Sequence, residues 1–123
     1  MSNSGLWLSS DGIKASAKSS KEELVFATGE TVKSFTIVGT HRVNRIILEM
    51  PVFAGAVVMG VLTIENEDGV EIYASADASE DNTHVYSPDK GIPLVGINTV
   101  KLTLSTDPLS SGTCSVTLYS EEG

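Results

Sequence analysis

The chain has 123 residues and one cysteine, Cys114, so no intramolecular disulfide can form. A disulfide-stapled scaffold is excluded, and the composition suits a reducing compartment. Histidine is nearly as scarce. His41 and His84 are the only two, and two histidines without an obvious third ligand make a poor zinc site. Basic residues number 8 against 16 acidic ones, for a formal net charge of −8. That balance excludes a protein that grips nucleic-acid phosphates or docks electrostatically on anionic lipid. Its acidic surface provides solubility and keeps copies apart until a specific contact forms. Long apolar runs are missing too. The longest uncharged one, Met50 to Leu62, is 13 residues and is broken by Pro51, Gly55 and Gly60, too short for a bilayer-spanning helix. The opening MSNSGLWLSSDG has no basic region followed by an apolar core, so it does not read as a secretory signal. There is no Gly-x-Ser-x-Gly, no phosphate-binding loop and no Cys-x-x-Cys. Nothing in the motifs points to catalysis.

What is present is a β pattern. The clearest stretch is Gly60 to Ala74, GVLTIENEDGVEIYA. Two alternating runs flank a turn at Asn66-Glu67-Asp68-Gly69, where glycine can take the positive φ of a short hairpin loop. Alternation assigns Leu62 and Ile64 to one face of the first run. In the second it sets Val70, Ile72 and Ala74 inward, with Glu71 and Tyr73 opposite. Further runs are predicted at 23–28, 31–38, 43–50, 83–87, 99–105 and 113–120. Ile46, Leu48 and Met50 face in on the third of these, with Arg45, Ile47 and Glu49 out. Val100, Leu102 and Leu104 face in near the end, as do Cys114, Val116 and Leu118. In 31–38 the buried face is ambiguous between Phe35 with Ile37 and Val32 with Thr36 and Val38. Residues 21–25 have room for one helical turn. Ile92-Pro93-Leu94 reads as extended, but Pro93 lacks an N–H and places it at an edge or outside the sheet. A short acidic tail closes the chain. About eight strands, separated by Gly, Pro, Asn and Asp every eight to twelve residues, predict an all-β antiparallel sandwich, jelly-roll or immunoglobulin-like, with little or no helix. Its organisation reads as an N-terminal arm or edge strand over 1–20, then one domain over 21–123.

Candidate chemistry is thin. His41, in a Gly39-Thr40-His41-Arg42 turn, reads as a solvent-exposed loop residue. His84 reads as a surface or partly packed one. Cys114 lies inward on its strand and is expected to be an inert packing thiol. Carboxylates crowd two loops, Glu65, Glu67 and Asp68 in one and Asp77, Glu80 and Asp81 in the other. Separated by one strand they stand about 20 Å apart at ~3.3 Å per residue, and they match no calcium loop. No metal and no cofactor is expected. Tyr73 and Tyr119 point outward on the alternation and would form a sugar platform if their strands were neighbours.

The informative excess is apolar. Between Ala56 and Leu62 both faces of the strand carry aliphatic groups, with Val57, Met59 and Val61 opposite Val58 and Leu62. Phe53 precedes them on a loop, Ile47 faces outward, and Trp7 sits in the N-terminal arm. A half-wet strand does not need two apolar faces, so another layer or another subunit covers one of them. Trp7, Ile47, Phe53, Val57, Met59 and Val61 are therefore the expected subunit contact.

The segments LTIENEDGVEIYAS, PLVGINTVKLTLS and SGTCSVTLYS, across roughly residues 60 to 120, resemble small β-sandwich structural proteins of tailed bacteriophage virions. Capsid decoration and accessory subunits are among them. The resemblance implies a non-enzymatic virion component, assembled in the host cytoplasm. Its partners would be protein subunits, as a homo-oligomer or on a major capsid protein, with no nucleic acid and no membrane. It carries over no functional residue. The alternative reading of the residues is a small carbohydrate-binding sandwich.

Overall fold

The computed structural model describes residues 18–54 and 58–122. The expected arm up to residue 17, with Trp7, and Val57 lie outside them.

Among the described residues the chain is all-β, with ten strands and no helix. They are β1 (Lys18–Phe26), β2 (Val32–Val38), β3 (His41–Met50), β4 (Met59–Glu65), β5 (Glu71–Ala74), β6 (Ala78–Ser79), β7 (Asn82–Tyr86), β8 (Ile92–Leu94), β9 (Ile97–Leu104) and β10 (Gly112–Glu122). All pairings are antiparallel. Sheet A runs β1-β10-β3-β7, with β8 also on β3. Sheet B runs β2-β9-β4-β5, with β6 also on β4. The surplus over eight expected strands comes from two interrupted edge positions. β7 pairs with the C-terminal half of β3 and β8 with its N-terminal end. β5 and β6 divide β4 in the same way. Taken as eight positions in chain order, the strands fall in sheets A, B, A, B, B, A, B and A, the order of a jelly roll, which decides between the two sandwich topologies open from sequence.

The two inner faces meet in one core. β3 contributes Val43, Ile46, Leu48 and Met50, β4 contributes Leu62 and Ile64, β9 contributes Val100, Leu102 and Leu104, and β10 contributes Cys114, Val116 and Leu118. These facings follow the alternation. On β2, Phe35 and Ile37 take the inner face, which settles the ambiguity there. Gly60 sits inside on β4 because a Cβ there would lie 3.1 Å from both Met50 Cε and Leu102 Cδ1. Its missing side chain lets the two strands' larger residues close over it.

Four expectations need correction. Residues 21–25 form no helical turn but lie within β1, where the ladder to β10 recruits them. The acidic tail is also strand, with Glu121 and Glu122 opposite Arg42 and His41 on β3. On β5 the facing is inverted. Thr63 pairs with Ala74 and Ile64 with Tyr73, but Glu65 pairs with Glu71, so Ile72 is an extra residue in a bulge. The slip turns Tyr73 onto the core and leaves Ile72 exposed, as one extra residue must in a period-two strand. Lastly, Phe53 is not at the surface. It is 2% exposed, and its ring meets Phe26 edge-on with centroids 6.4 Å apart. Gly112 makes room, since a Cβ there would stand 2.7 Å from the Phe53 ring.

Candidate functional surface

The chemistry-bearing side chains are committed to structure. His41 is buried rather than exposed, and its Nε2–H donates to the Val38 carbonyl at 3.2 Å across the tight β2–β3 turn. Gly39 holds that turn at φ +118°, where a Cβ would press on the imidazole at 2.9 Å. His84 donates from Nε2 to the Ser79 carbonyl at 2.9 Å and stacks on Tyr86. Cys114 is fully buried, its S–H directed at Met50 Sδ at 3.7 Å. Burial pushes its pKa up to about 12, so the thiol stays protonated and is no nucleophile at neutral pH.

The carboxylate loops separate to opposite ends of β4. At one end Glu65 pairs with Lys101 at 3.1 Å, and the Asn66 side-chain oxygen accepts the N–H groups of Asp68 and Val70, fixing the hairpin turn. At the other end Glu80 accepts from Val58 N–H at 2.6 Å and Phe53 N–H at 3.3 Å. That carboxylate pins the loop that carries Phe53 inward, a role its loop position did not announce. Among the described residues, no group of three or more His, Cys, Asp or Glu is placed to hold a metal ion. An open cleft of about 310 Å³ lies beside the hairpin turn, lined by Glu67, Asp68, Ile72, Pro93 and Val95 among others. It brings together no nucleophile and base.

The expected contact residues do not form one patch. Ile47 stands half-buried on the outer face of sheet A, in a cross-strand row with Lys21, Thr117 and Val85. Met59 and Val61 stand half-buried on the outer face of sheet B, on the far side of the molecule. Phe53 lies between the sheets. The tyrosine platform also fails: Tyr73 is in sheet B and packs on the core, while Tyr119 is in sheet A under the Arg45 guanidinium, 4.4 Å from the ring centroid.

The outer face of sheet B is the more uniform surface. Its rows are Val32–Thr103–Val61, Ser34–Lys101–Thr63–Ala74, Thr36–Thr99–Glu65 and Val38–Ile97, with Met59 at one end. Apart from Glu71 at its rim, its charges are the mutually paired Lys101 and Glu65. The chain's excess of acid lies in loops, at Glu67, Asp68, Asp77, Asp81, Asp89 and Asp107. Sheet A's outer face carries Lys21, Glu23, Arg45 and Glu49 among its aliphatic groups. The strand pattern showed Met59 and Val61 as an oddity. Only pairing shows that β2 and β9 extend it into a face.

No protein-family model matches the chain, and no curated protein does. Among solved structures, a chain from the capsid asymmetric unit of cyanophage Pam1 shares the fold with a TM-score of 0.62 and 18% identity. The match covers 99% of this chain and 98% of that one, so the two jelly rolls correspond end to end. A chain of infectious bursal disease virus, Gx strain, matches at a TM-score of 0.42 and 9% identity, covering 89% of this chain and 33% of that one. The latent dimeric PorU of Porphyromonas gingivalis matches at 0.45 and 10% identity, covering 89% of this chain and 13% of that one.

Proposed function

We propose that this chain is a non-enzymatic structural subunit of a virion, a capsid decoration or accessory protein that binds neighbouring protein subunits. The observation that carries the reading is the end-to-end correspondence with a chain of the Pam1 capsid asymmetric unit. The chemistry supports it by what its polar groups are used for: the thiol is protonated and buried, both histidines bond backbone carbonyls, and Glu80 holds a loop. The contact surface is the outer face of sheet B around Met59 and Val61, with Ile47 on sheet A as a second, separate point and Trp7 on the arm. Such a face associates by burying aliphatic and threonine methyl area, worth roughly 25 cal/mol per Å² before the costs of association. Partners are further copies, a major capsid protein, or both, and the subunit resides in the virion after assembly in the host cytoplasm. A sugar-binding role loses its platform because the two tyrosines lie in different sheets.

The test is made on particles purified from the host that encodes this chain. The chain should be present in many copies per particle, and particles assembled without it should break at lower temperature or pressure. Particles that lack the chain, with the protein free in the lysate, would refute the reading.

A further inference from the structure

We propose that β2 is the edge along which two copies of this chain pair, antiparallel and related by a two-fold axis at Phe35. Exposed edges invite pairing, and proteins blunt them with charge, proline, bulges or shortness. β1 carries Lys21, Glu22 and Glu23 in succession. β5 has four residues and a bulge, and β6 has two. β7 has five residues, and β8 has three with Pro93 in the middle. β2 has none of these devices along most of its length. It is seven residues, VKSFTIV, without proline and in unbroken register with β9. Its one charge, Lys33, sits next to the strand start and is paired with Glu30 of the same chain at 3.2 Å. Positions 34–38 carry no charge in a chain of net charge −8.

The backbone defines which groups face the edge. The Thr31 carbonyl accepts from Leu104 N–H at 2.7 Å, and Gly39 N–H donates to the Gly96 carbonyl at 2.9 Å. Odd-numbered residues therefore direct both backbone groups to β9. In an antiparallel ladder their neighbours direct both groups the other way. Val32, Ser34, Thr36 and Val38 thus present their N–H and C=O groups outward, and among the described residues only the Val38 carbonyl has a partner, the His41 Nε2–H at 3.2 Å. Their side chains lie on the outer face of sheet B.

That edge is complementary to itself. With the axis at Phe35, Ser34 pairs with the other copy's Thr36 as a hydrogen-bonded pair exchanging two bonds, and Val32 falls opposite its Val38, whose carbonyl would accept from Val32 N–H on the lone pair that His41 leaves open. Lys33 falls opposite Ile37, not opposite a second lysine. Phe35 faces its own copy as a non-hydrogen-bonded pair, the closer kind. Phe35 packs on the rim of the core but is only half-buried. A second Phe35 across the axis would complete its cover. The two B sheets become one continuous sheet, and their uncharged outer faces merge.

Proline scanning tests this on the full chain. Thr36 donates its N–H to no partner on β9, so Thr36→Pro removes only an edge donor and leaves the internal ladder whole. Sedimentation across a concentration series should show the wild type forming dimers, and Thr36→Pro should weaken them at least roughly tenfold with an unchanged β dichroism spectrum. Should Thr36→Pro fold poorly, Thr36→Lys serves the same end from an exposed position. Phe35→Cys should give disulfide-linked dimers on mild oxidation, because the axis places that position against itself while Cys114 is buried. Lys33→Cys should not, since its copies stand four residues out of register. A wild type that is monomeric throughout overturns the proposal, as it would if residues 1–17 covered the edge. Dimers that survive Thr36→Pro and Thr36→Lys overturn it as well.

Discussion

Replacing Phe53 by alanine separates a core residue from an interface residue in one experiment. The ring is 2% exposed, meets Phe26 edge-on, and is bounded by Gly112 and by the backbone segment that Glu80 holds. Truncation removes the transfer free energy of the ring and leaves a cavity whose walls are pinned, so little collapse is available. Buried Phe→Ala changes of this kind cost about 3–5 kcal/mol. At about 3–5 °C per kcal/mol for a chain of this size, the melting midpoint should fall by about 10–20 °C. Denaturant unfolding should report the same loss with an unchanged slope, since the surface exposed on unfolding is nearly the same. Gly112→Ala pushes on the same ring from the other side and should cost about 1–3 kcal/mol by overpacking. Phe53→Leu combined with Gly112→Ala should then cost less than the sum of the two single changes, because the smaller side chain vacates the space the new methyl needs. The refuting outcome is a Phe53→Ala protein whose midpoint is unmoved but whose assembly is lost. Phe53 would then belong to a subunit contact.

Glu80→Ala leaves the Val58 and Phe53 N–H groups without their acceptor and should lower unfolding free energy by about 1–3 kcal/mol, measured by urea titration. Cys114 should react with a thiol reagent only as fast as the chain unfolds, and the reagent should modify it freely in denaturant. The folded thiol pKa is raised from 9.0 to about 12, so the folded state holds a proton that the unfolded state releases. Its contribution to stability is complete below pH 9.0 and is lost as pH rises towards about 12, with a slope of up to ~1.4 kcal/mol per pH unit that Cys114→Ala removes. Val61→Asp, on the outer face of sheet B, should weaken association strongly while moving the melting midpoint far less than Leu62→Asp on the inner face. Equal effects of the two on stability would mean that another layer of the same chain covers the outer face.

Period-two alternation made the inner residues of β3, β4, β9 and β10 legible from sequence, because each strand buries one face whatever its neighbours are. Turn chemistry placed the hairpin at Asn66 to Gly69, since that geometry is local. At Pro93, which cannot donate to a ladder, a central strand was ruled out from sequence, and only the pairing of β8 with β3 chose an edge over a place outside the sheet. Pairing was not legible, because it brings together residues far apart in the chain. The bulge at Ile72 inverted Tyr73, and no local pattern encodes an extra residue that exists only relative to β4. His41 looked like a loop residue until the β2–β3 turn folded it over Gly39. Phe53 looked like surplus surface because a loop has no periodicity to declare its facing. Its burial is decided by Gly112 and Glu80, 59 and 27 positions away. The sequence by itself determined that this is a β-sandwich with more apolar strand surface than one core requires. Only the tertiary structure decided that this surplus is divided between opposite faces, because the sheet to which a strand belongs depends on contacts its own residues do not contain.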